Sequence, residues 1–60
     1  MEVIRIFEVK HSSLSEPELV KADNLEDAIR KFNNYYASDY DVQPDGIESV
    51  NLVYEREVIC

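Results

Sequence analysis

The sequence predicts an α+β fold. It reads as an antiparallel sheet of three or four strands with one helix packed on one face, in the order β-β-α-β, or β-β-α-β-β if residues 57–60 form a strand of their own. Three observations carry this: a β-branched and aromatic run at residues 2–10, a capped amphipathic stretch from Asn24 onward, and a second β-rich run at residues 47–54 that follows a proline–glycine turn. Sixty residues hold one domain, residues 1–60, and no linker or internal repeat divides it.

In residues 2–10, period two places Val3, Phe7 and Val9 on one face, with Arg5 among them, and Ile4, Ile6, Glu8 and Lys10 on the other. Neither face is purely polar, as suits a central strand or a sheet whose second face meets a partner. Residues 11–17 supply hydroxyls and then Pro17, which cannot donate to a ladder, so a polar turn with His11 in it is expected before a short edge strand at 18–22. Asn24 is a good N-cap, and Glu26 and Asp27 fill the first turn, with Asp27 where a capping-box acid belongs. Leu25, Ala28, Ile29, Phe32, Tyr35 and Tyr36 then recur at three- and four-residue spacing, the apolar stripe of a helix that should end near residues 37–39. Glu26–Arg30 and Asp27–Lys31 are acid-before-base pairs at i,i+4, each worth a few tenths of a kcal/mol.

Gln43, Pro44, Asp45 and Gly46 have the chemistry of a β-turn. In the strand that follows, Val50, Leu52 and Tyr54 are expected on one face and Asn51 and Val53 on the other, with a tight turn or bulge at Glu55 and Arg56. The expected core is Phe7, Val9, Leu25, Ala28, Ile29, Phe32, Val50 and Leu52. Ile4, Ile6 and Val53 would lie on the uncovered face as a self-association surface.

Thirteen acidic residues against six Lys and Arg leave a net charge of −7. That balance argues against direct binding to nucleic acid or an anionic membrane, where cationic side chains supply the affinity. No window approaches the roughly 18 apolar residues of a membrane helix, and Met1, Glu2, Val3, Ile4 and Arg5 do not open a signal peptide; a cytoplasmic protein is expected. Cys60 is the only cysteine and His11 the only histidine, so neither an internal disulfide nor a soft-ligand metal cluster is expected, and no cofactor. A chain this small buries only about 60% of its unfolded surface, so a homodimer is one route to added stability.

The segment VKADNLEDAIRKF, residues 20–32, runs from a strand through an Asn cap into an acidic first turn with Ala28 and Ile29 on its buried side. This segment and the strand–strand–helix–strand order resemble small proteins of the DpnD/PcfM type found on phages and other mobile elements. The resemblance implies that genomic setting, and with it the cytoplasm of a host cell. It implies no catalytic residue.

Chemistry-bearing groups are sparse. His11, Ser12, Ser13 and Ser15 share one turn, without the orienting acid and oxyanion hole that nucleophilic catalysis needs. Asp39, Asp41, Asp45 and Glu48 lack the ordered oxygen ligands and closing glutamate of a calcium loop. No enzyme is expected. The segment around them is better suited to binding protein, since tyrosine combines apolar area with a polar tip and carboxylates attract a basic surface. The expected partner-binding residues are Tyr36, Asp39, Tyr40, Asp41, Asp45 and Glu48. The expected function is that of an acidic protein-binding module, pictured as an inhibitor whose carboxylates imitate a phosphate row and occupy the basic surface of a host nucleic-acid-binding protein. The alternative is an assembly protein that acts as a homodimer through the open sheet face.

Overall fold

The computed structural model describes residues 2–59. Its elements are β1 (Glu2–His11), β2 (Glu18–Lys21), α1 (Leu25–Tyr35), a single 3₁₀ turn (Pro44–Gly46) and β3 (Ile47–Val58). The three strands form one antiparallel sheet in the order β2-β1-β3, and α1 lies across one face. The fold is α+β, as the sequence predicts.

β1 is the central strand and carries apolar side chains on both faces. Phe7 and Val9 point toward α1, opposite Val20 and Glu18 on β2 and opposite Leu52 and Val50 on β3. Ala28 and Phe32 descend from the helix to meet them, with Ala22 and Val42 closing the two ends of the core. Arg5 fixes the approach to the helix: its Nε donates to Glu55 Oε2 at 2.6 Å and its Nη1 to the Asp23 carbonyl at 2.8 Å.

The helix begins where capping chemistry predicts. Asn24 Oδ1 accepts from the Asp27 N–H at 2.8 Å. Asp27 reaches back one residue further than a capping box requires, accepting from the Asp23 N–H at 3.2 Å rather than from Asn24. Asp27 also pairs with Arg30 and, at 3.3 Å, with Lys31; the expected Glu26–Arg30 pair does not form because Asp27 holds the guanidinium. α1 closes at Tyr35, two residues before the expected end, and the chain continues in turns held by Ala37 N–H to Asn34 O and Asp39 N–H to Tyr36 O.

The register departs from simple alternation at two places on β3. Phe7 faces Leu52 but Ile6 faces Tyr54, which leaves Val53 as an extra residue; Lys10 faces Ser49 but His11 faces Ile47, which leaves Glu48 extra. The bulge at Val53 corrects the expected faces. Tyr54 moves to the open face beside Ile6, and Val53 has no directly opposed partner on β1. The expected turn or bulge at Glu55 and Arg56 lies instead two residues earlier, and β3 runs through to Val58 without a break. Among the described residues there is no fourth strand; Cys60, the last residue of the expected one, lies outside them.

The core is also corrected. Leu25 and Leu52 are 49% and 46% exposed, because α1 does not extend over the β3 side of the sheet at its N-terminal end. Their places among the buried residues are taken by Ala22, Val42 and His11. The molecule is elongated, 40 × 18 × 15 Å, since the rungs from Glu2–Val58 to Arg5–Glu55 form a two-stranded ribbon beyond the core.

Candidate functional site: an acidic end and an open sheet face

His11 organises one end of the molecule. It continues the inward face of β1 after Phe7 and Val9 and is only 3% exposed, which corrects the expectation of a histidine in a loose polar turn. Its ring stacks on Phe32 with centroids 5.9 Å apart. Nδ1 accepts the Ser13 backbone N–H at 2.9 Å, so the proton of a neutral ring resides on Nε2, which donates to the Gln43 carbonyl at 2.6 Å. Both nitrogens are therefore engaged, and neither faces a serine hydroxyl as a base would. The ring joins the 12–17 loop to the 36–46 loop, and Ser12 N–H to Gly46 O at 3.0 Å adds a second tie.

Gly46 permits this closure. A Cβ at that position would collide with the His11 ring and press on the Ser12 hydroxyl. Val42 anchors the acidic segment from the other side, buried against Val9 and Phe32. Within the segment, Asp39 Oδ1 accepts the Asp41 N–H at 3.0 Å and Gln43 Nε2 donates to the Tyr40 carbonyl at 2.8 Å. Backbone and side-chain bonds thus hold residues 39–46 in shape, although they contain no regular element longer than one turn.

Asp39, Tyr40, Asp41, Asp45 and Glu48 are all exposed, Tyr40 at 91%. The tied loops bring Glu16 and Glu18 to the same end, so six of the thirteen carboxylates gather there, with Lys10 beside Glu16 and Glu48 and with Lys21 and Lys31 near Glu18. Tyr36 belongs to this end but is turned inward. It is half-buried, packs its ring tilted against Phe32 and edge-on to Tyr35, and donates its hydroxyl to Glu18 Oε2 at 3.0 Å. Burial, and then the Glu18 carboxylate, push its phenol above the usual value of 10.0. Tyr36 supports the acidic segment from behind, and Tyr35, 77% exposed, is the more accessible ring of the pair.

The open sheet face presents a different surface. Ile4 and Ile6 lie on it, joined by Tyr54 opposite Ile6 and by Leu19 opposite Glu8. Lys21 flanks Ile6 on one side and Arg56 faces Ile4 on the other. Val53, the third expected member, sits in the bulge and is half exposed.

Sequence reasoning missed two features. His11 was detectable, because it falls on the inward parity of β1. The other is a groove of about 880 Å³ between the start of α1 and β3, floored by Phe7, Val50 and Leu52; no local pattern announces a place where the helix falls short. Among the described residues no group of three or more His, Cys, Asp or Glu side chains is placed to hold a metal ion, and no helix is long and apolar enough to cross a membrane. Comparison with protein-family models, curated proteins and solved structures finds no match to this chain.

Proposed function

We propose that this chain is an acidic protein-binding module that offers Asp39, Tyr40, Asp41, Asp45 and Glu48 to a basic surface of another protein. The observation that carries the proposal is the double tie of His11 and Ser12 to residues 43 and 46. It fixes the carboxylates around one exposed tyrosine before any partner arrives, so little ordering cost remains at binding. Charge gathered at one end of an elongated body also steers encounter, an effect that raises association rates by roughly 10 to 10³-fold at low salt. A basic surface that normally holds nucleic acid is the natural target, and the setting implied by residues 20–32 makes the chain a phage or mobile-element inhibitor acting in the cytoplasm of its host.

The test is capture of nucleic-acid-binding proteins from a bacterial lysate, then titration of the recovered pair with salt. Binding should weaken steeply as salt rises and fall further in an Asp39→Asn, Asp41→Asn, Asp45→Asn variant. Affinity indifferent to both would sink the reading.

A second reading rests on Ile4, Ile6 and Tyr54, which lie together on a sheet face that no element among the described residues covers. It makes the chain a homodimeric assembly protein. Sedimentation at micromolar concentration decides it: Ile6→Glu should dissociate a dimer and preserve the helical circular dichroism.

A further inference from the structure

The two edges of the sheet are not alike. β2 is four residues long, is preceded by Pro17, and has its Lys21 carbonyl occupied by Lys31 Nζ at 3.1 Å. Those features blunt an edge. β3 is twelve residues long, and among the described residues no strand pairs with its outer side. Beside it runs the groove floored by Phe7, Val50 and Leu52, with Leu25 on its helix wall and Asp23 and Glu26 at its rim. Leu25 and Leu52 occupy positions that helix and strand periodicity assign to a core, yet both remain half exposed.

We infer that β3 accepts an extended segment of a partner protein as a fourth strand, with apolar side chains of that segment entering the groove between Leu25 and Leu52. Main-chain bonds to the open edge supply affinity, and the groove selects alternate side chains of the added strand. The charge on the rim and along the strand specifies the remaining chemistry. Asp23, Glu26 and Glu57 lie along it, while Arg5 is already committed to Glu55 and the Asp23 carbonyl and Arg56 lies on the opposite face beside Ile4. A segment alternating apolar and basic residues is complementary to this surface. A second copy of β3 is not, since edge-to-edge pairing would set Glu48, Glu55 and Glu57 of both chains along one seam. The site is separate from the acidic end and does not depend on it.

The probe is a short synthetic peptide alternating leucine or valine with lysine or arginine, titrated into isotope-labelled protein and followed by NMR. Shifts and slowed amide exchange are expected at residues 50–57 and at the Leu25 and Leu52 methyls, with half-saturation below about 1 mM. Leu25→Glu, a half-exposed position that leaves the fold intact, should weaken binding about tenfold or more. N-methylating alternate peptide nitrogens, which removes ladder donors without touching the protein, should abolish it. The Asp39→Asn, Asp41→Asn, Asp45→Asn variant should still bind, which separates this site from the acidic end. Shifts confined to residues 36–48 or to the open face overturn the inference, as does equal binding of the N-methylated peptide. So does concentration-dependent pairing of β3 with its own copy in the absence of peptide.

Discussion

His11 and Asp27 show how one polar side chain can hold several backbone segments together. Removing the imidazole in His11→Ala would leave a cavity against Phe32, strand the Ser13 N–H, and leave the Gln43 carbonyl with the Gly46 N–H alone. A loss of about 2–4 kcal/mol is expected from the cavity and unpaired groups together, measurable by urea denaturation. Gly46→Ala should destabilise by the opposite route, overfilling the same contact. Asp27 provides the pH dependence. The Arg30 guanidinium first, then the Asp23 N–H and Lys31, hold its carboxyl below the ordinary value of 3.8. Its contribution is therefore present above that value and lost as pH falls through the lower folded one. Asp27→Asn should lower the melting temperature at neutral pH, and the gap from wild type should close in strong acid.

At the scale of the element, α1 is where local chemistry decides most. Asn24→Ala removes the acceptor for the Asp27 N–H and should cost about 1 kcal/mol, read from the thermal midpoint. The cap, the acidic first turn and the Ala28–Phe32 stripe were legible because each depends on neighbours in sequence. The two main strands were legible for the same reason, through β-branched runs and period-two alternation. The bulge at Val53 was not, since it arises from fitting β3 to β1 across the sheet, and it carries Tyr54 to the face opposite the one alternation predicts. Leu25 and Leu52 have core periodicity, but their burial depends on how far a helix extends over its sheet, a tertiary quantity. The acidic segment was legible as composition alone. That it is tied down, and by a histidine from β1, required the fold.

Across the whole molecule, charge is distributed unevenly. Six carboxylates share the loop end with Lys10, and of these only Glu18 lies near Lys21 and Lys31, whereas acids along α1 and the ribbon lie among Arg5, Arg30, Lys31 and Arg56. Repulsion at the loop end opposes folding and is screened by salt. Stability should therefore rise from low to moderate sodium chloride in thermal melts, and the Asp39→Asn, Asp41→Asn, Asp45→Asn variant should start higher and gain less. A flat salt response in wild type would show that the cluster is too solvated to matter to the fold.

The first rung of the ribbon pairs Glu2 with Val58, so the path from residue 2 to residue 58 is nearly a closed circle. A short linker between the ends would complete it at little geometric cost, and new ends could be opened in the exposed loop near Ser15 and Glu16. Such a permuted chain would make the β1–β3 ladder a local hairpin instead of a contact across the whole sequence, and it should fold faster for that reason. The order of the strands in space, rather than their order along the chain, is what defines this protein.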